Sequence, residues 1–68
     1  MPYSSVSDLP DSVRDHLPEK AQHIYRDAFN SAWDEYSDRS DREATAHKVA
    51  WSAVKKRYRK QGDRWVAK

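Results

Sequence analysis

At 68 residues the chain lies near the lower limit for a domain standing on its own core, and a single domain over residues 1–68 is expected. It has no cysteine, which excludes disulfides and thiolate metal sites and fits a reducing cytosolic compartment. The net charge of +2 hides an uneven distribution: residues 1–37 hold seven acids and three bases, residues 38–68 four acids and ten bases.

Residues 1–7 read as loop or extended chain, with Tyr3 and Val6 as their sizeable apolar groups. The start MPYSSVSD lacks an apolar run behind a basic head and does not read as a signal peptide. Asp8 is expected to cap a short helix with Pro10 in its first turn, and Leu9, Val13 and Leu17 recur every four residues along it. Pro18 stops that helix and opens the next, because its missing N–H costs nothing in a first turn.

The central helix is expected over residues 18–37. Ala21, Ile24, Tyr25, Ala28, Phe29, Ala32, Trp33 and Tyr36 fall at steps of three and four, on one helical stripe. Small and large residues alternate along it, so that a neighbouring helix approaches over the alanines and the rings fill the gaps. The segment SDRS at 37–40 is the turn, and Ser40 with Glu43 forms a capping box for a third helix running to about Gln61, with Gly62 as its C-cap. His47, Ala50, Trp51, Val54 and Tyr58 mark its inner face, broadened by Ala46, Val49 and Ala53. A short connection makes the long helices antiparallel. Trp33 and Trp51 are expected to meet between them.

Trp65 and Val66 would be odd in a free tail, so residues 63–68 are expected to pack back as a short strand against residues 2–5, bringing Tyr3 near Trp65. The fold class is therefore mainly α: a short helix, two long antiparallel helices and a minor two-stranded β element joining the termini. The longest apolar run, residues 49–51, is far too short to span a bilayer, so the reading is a soluble protein with at most a peripheral membrane role.

With these residues in place the chain resembles the ChaB family of cation transport regulators. The matching stretches are Met1-Pro2-Tyr3, the Leu-Pro pairs at 9–10 and 17–18, AQHIYRDAFNSAWDEY at 21–36, EATAHKVAWSAV at 43–54, and then Tyr58 and Trp65. The link SDRSDRE is shorter than the family's usual charged connection. The resemblance implies a small helical fold with a minor β element, a regulatory role toward a cation–proton antiporter, and no catalytic residues; DNA binding has been suggested for viral relatives.

Lys55, Lys56, Arg59 and Lys60, with Arg64 nearby, form the candidate partner-binding patch. Such a cluster around Tyr58 can meet an acidic protein surface, phosphates and a stacked base, or anionic headgroups; it also suits a helix C-terminus as plain solvated charge. The candidate core comprises Ile24, Tyr25, Phe29, Trp33, Tyr36, His47, Trp51, Val54 and Tyr58. His47 beside Trp51 reads as a hydrogen-bonded structural histidine.

His23 and Asp27, spaced i,i+4, lack a third ligand, so no metal or cofactor is expected. Asp38, Asp41 and Glu43 lack the spacing and central glycine of a calcium loop. Asp34 and Glu35 diverge by about 100° on a helix and make no acid–base pair. Three readings follow: a non-enzymatic cytosolic interaction protein, a nucleic-acid binder using the basic end of helix three, or an oligomerisation unit, with the oligomeric state open.

Overall fold

The computed structural model describes residues 3–68. Val6–Asp8 form a single 3-10 turn. Helices α1 (Asp11–Arg14), α2 (Glu19–Glu35) and α3 (Arg42–Arg57) follow, then strands β1 (Tyr58–Gln61) and β2 (Arg64–Ala67), paired as an antiparallel hairpin. Helices α2 and α3 lie against each other and supply most of the packing.

The core is built at four-residue steps. Ala21, Tyr25, Phe29 and Ala32 of α2 are buried, as are Ala46, Ala50 and Val54 of α3. Leu9, Val13 and Leu17 close the core over the start of α2. The two alanine rows let the backbones approach, and the rings fill the remaining space. Of the candidate core residues, Tyr25, Phe29, Val54 and Tyr58 are buried, while Ile24, Trp33, Tyr36, His47 and Trp51 are half-buried at its margin.

Five rings form one row through the molecule. Tyr3 lies 4.8 Å from Phe29, Phe29 6.2 Å from Tyr25, Tyr25 5.2 Å from Trp51, and Trp51 5.5 Å from Trp65, centroid to centroid. Tyr25 and Phe29 thus separate Tyr3 from Trp65, and the expected contact between those two is corrected. Trp33 and Trp51 do not meet either. Trp51 stands opposite Tyr25, and Trp33 lies eight residues further along α2, about 12 Å away. Trp33 instead stacks near Phe29 at 5.9 Å and carries the Arg42 guanidinium 3.9 Å over its ring. Arg42 also donates from Nε to the Trp33 carbonyl at 2.7 Å, satisfying an acceptor in the last turn of α2.

The C-terminal segment departs most from the sequence-based expectation. Helix α3 ends at Arg57, not Gln61, and β2 pairs with β1 rather than with residues 2–5, of which Pro2 lies outside the described residues. Gly62 takes φ +65° as the first residue of the two-residue hairpin loop, whereas Asp63 keeps negative φ. That is a type II′ turn, which suits glycine at its first central position and matches the twist of the strands. The hairpin lays Trp65 on Trp51 and keeps Tyr58 buried; a helix continued to 61 would leave Trp65 and Val66 without a partner.

Two caps also differ. Asp8 ends the 3-10 turn and reaches back, accepting from Ser4 Oγ at 2.7 Å and Ser5 N at 3.2 Å, while Pro10 occupies the N-cap of α1. The cap position of α3 is Asp41, without a side-chain cap bond, so the Ser40–Glu43 box does not form. Asp41 instead takes a two-pronged bond from Arg39, at 2.9 and 3.0 Å. The N-terminal segment is held by Asn30: its Nδ2 donates to Tyr3 O at 2.8 Å and its Oδ1 accepts from Tyr3 N at 3.2 Å.

Candidate docking surface at the basic end

The antiparallel helices bring the hairpin, α1 and the start of α2 to one end of a molecule 36 Å long. The other end carries the connection between α2 and α3, with exposed Asp34, Glu35, Asp38, Asp41 and Glu43. Lys55, Lys56, Arg57, Arg59, Lys60 and Arg64 are all exposed at the hairpin end. The ion pairs among the described residues use Arg14, Arg26, Arg39 and His47, so none of these six cations is neutralised by a carboxylate.

The sequence placed the patch around the rim of one helix. The switch to strand at Tyr58 distributes it over separate faces. Successive strand residues point to opposite sides of the ribbon, so Lys60 and its cross-strand partner Trp65 share a face with Tyr58 and its partner Ala67. Arg59 lies on the opposite face beside Val66, with Arg64 as its diagonal neighbour. Lys56 and Arg57 border a third surface with Ile24, Asp27, Ala28, Ser31 and Ala53. The acidic half of the sequence is not a clean opposite pole, because Asp15 of that half lines the same hollow as Arg64.

Lys55 and Lys60 are brought together by a concave site that sequence reasoning missed. Ser12, His16, Trp51, Lys55, Lys60 and Trp65 line a hollow of about 320 Å³. Lys55 follows Trp51 by one helical turn, and Lys60 stands directly across the ladder from Trp65, so each lysine neighbours one of the two indoles. His16 Nδ1–H donates to the Ser12 carbonyl at 2.7 Å, which fixes the ring at the wall of α1. Among the described residues no carboxylate lines the hollow. The Gly62–Asp63 pair between two short runs was the available signal, because glycine followed by a small acid is a hairpin cue.

The interior polar groups are organised around Tyr25 and His47. His47 Nε2 faces Glu43 Oε1 at 3.9 Å, and Nδ1 of the same ring is hydrogen-bonded to the Tyr25 hydroxyl. Burial, with a smaller contribution from Tyr3, holds the Tyr25 phenol above its ordinary pKa. Burial also raises Tyr3, assisted by the charge of Glu43. The Ser4 hydroxyl and the Ser5 amide hold Asp8 below the usual carboxylate range. Tyr25 meets the core and Asp8 a turn, while His47 and Glu43 border an open hollow with Ser40, Asp41 and Ala44. His23 is exposed and Asp27 is engaged by Arg26 at 2.9 Å. Among the described residues no group of three or more histidines and carboxylates is placed to hold a metal, and no helix is long and apolar enough to cross a membrane.

A family model described as ChaB matches residues 9–68. An Escherichia coli K12 protein named "Putative cation transport regulator ChaB" is 56% identical over 75 aligned positions, covering 100% of this chain and 99% of the relative. A Shigella flexneri protein of the same name matches at the same identity and coverage. Those 75 positions exceed the chain's 68 residues, so these relatives carry residues that this chain lacks. A solved structure described as the NMR solution structure of the putative cation transport regulator ChaB shares 57% identity and a TM-score of 0.88, covering 98% of this chain and 99% of that one.

Proposed function

The chain belongs to the ChaB family, and from that premise we propose that it is a non-enzymatic cytoplasmic regulator that acts by binding an acidic surface on the cytosolic side of a cation–proton antiporter. The relatives' names supply the cation-transport context. The observation that carries the docking mode is the set of six exposed cations at the hairpin end, none in an ion pair among the described residues. Such a concentration of one sign steers an acidic partner and sets its register more than it sets raw affinity.

The test is a Lys55→Glu, Lys56→Glu, Lys60→Glu variant. All three side chains are exposed and outside the core, so the melting temperature should stay within a few degrees of the parent. Co-purification with antiporter-containing membranes should be lost, and for the parent it should weaken as salt rises. A folded variant that co-purifies as well as the parent would refute the proposal.

Nucleic-acid binding is the second reading, favoured by one observation: the outer face of the two-stranded ribbon presents Arg59 and Arg64 as diagonal neighbours. It requires binding to duplex or single-stranded DNA that falls linearly in log affinity with log salt. A flat response to DNA at low salt removes it.

A further inference from the structure

The hollow lined by Trp51 and Trp65, which pack on each other, has a composition that narrows what can occupy it. This step rests on the docking mode proposed above. At about 320 Å³ it lies at the small end of the range for ligand sites, room for one side chain rather than a whole cofactor. Its floor is apolar: Trp51 and Trp65 are tilted 31° to one another and both are half-buried, so part of each ring faces the opening.

Those ring faces are not already covered by cations. The cation–π contacts among the described residues are Arg39 on Tyr36 and Arg42 on Trp33, at the opposite end of the helices. Lys55 and Lys60 stand at the rim, exposed, with no carboxylate in the lining among the described residues. The hollow bordered by Arg64 contains Asp15, and the surface bordered by Lys56 contains Asp27, so neither selects a sign of charge as this one does.

We infer that the Trp51–Trp65 hollow receives one apolar anchor side chain from an acidic peptide segment, whose flanking carboxylates pair with Lys55 and Lys60. Aromatic pockets that take a single buried anchor within a charged rim have the anatomy of an interface hot spot. Charge complementarity selects the acidic segment, and the apolar floor selects the anchor. The patch thus reads sequence as well as charge: an acidic surface without the anchor would bind weakly and without register.

The experiment uses the full chain and two synthetic glutamate-rich peptides that differ only at the centre, leucine in one and serine in the other. Binding is followed by indole fluorescence and by amide shifts of Lys60 and Trp65. The leucine peptide should bind at least tenfold more tightly, the share expected from burying one aliphatic side chain. Ser12→Phe fills the hollow from α1 without altering a lysine or an indole; it should erase the difference while leaving serine-peptide binding in place. Equal, salt-sensitive binding of both peptides to the parent would overturn the anchor and leave acidic docking standing. Binding of neither would overturn both. Quenching by single-stranded oligothymidylate that the leucine peptide cannot displace would assign the hollow to a nucleobase and overturn the inference.

Discussion

Replacing Asn30 with alanine should release the N-terminal segment from the core. Asn30 is 5% exposed, and its carboxamide exchanges both of its hydrogen bonds with the Tyr3 backbone, at 2.8 and 3.2 Å. Each such bond contributes about 0.5–1.5 kcal/mol net, so their joint loss costs about 1–3 kcal/mol. If Tyr3 then leaves Phe29, the ring contact of 4.8 Å is lost as well, worth about another 0.5–1.5 kcal/mol. A core of this size supplies only about 3–5 kcal/mol in total. The melting temperature should therefore fall by roughly 8–16 °C for a loss of about 2 kcal/mol. Thermal melting by circular dichroism reads the stability, and hydrogen exchange at the Tyr3 amide reads the release.

Asn30→Asp sharpens the test. It keeps an acceptor for Tyr3 N but sets a negative oxygen against Tyr3 O. It should be at least as damaging as alanine at pH 7. It should recover stability in acid, where the protonated carboxyl donates to Tyr3 O again. An alanine variant with an unchanged melt and an equally protected Tyr3 amide would show that Asn30 does not hold the segment.

Tyr25→Phe should cost about 0.5–1.5 kcal/mol at neutral pH through the lost bond to His47. Because burial raises the Tyr25 pKa above its ordinary value of 10, the unfolded chain releases that proton first. Parent stability should therefore fall above pH 10 by up to about 1.4 kcal/mol per pH unit, and urea melts of the phenylalanine variant should show a shallower fall. Gly62→Ala has open space for its methyl group but must hold φ +65°, so about 1 kcal/mol should be lost and Gly62→Asn should lose less. Trp51→Ala removes the ring between Tyr25 and Trp65 and should cost about 3–5 kcal/mol with collapse of the Val66 amide shift; Trp33→Ala should destabilise while leaving that shift unchanged.

The helical part of the fold was legible because its signal is periodic. Ala21, Tyr25, Phe29 and Ala32 mark one face of α2 whatever lies opposite. The same rule misled at the other end. Ala46, Ala50, Val54 and Tyr58 continue at steps of four, yet the backbone changes from helix to strand at Tyr58 while its ring stays buried. Periodicity reports the buried face and is blind to a change of backbone there.

The misplaced boundary then carried into the patch. On a helix Lys56 and Lys60 would share a face; across the actual junction Lys60 faces Trp65, and Lys55 joins it at the hollow. Asn30 was invisible for another reason. A buried amide off the apolar stripe looks like a surface residue, and its partners are backbone atoms that no residue pattern displays.

Helix α3 passes into β1 with no residue between Arg57 and Tyr58, and Lys68 N closes the far strand onto Arg57 O at 3.1 Å. Together with the Trp51–Trp65 contact, this attaches the hairpin as a lever without slack. A load applied to the ribbon passes through Trp51 and Tyr25 into both long helices. A partner docking at the basic end, as proposed, would meet a preset shape. The ordering cost of binding is confined to the lysine and arginine side chains, about 0.5–1.5 kcal/mol for each one immobilised. The encounter rate is then governed by orientation and charge rather than by a conformational search.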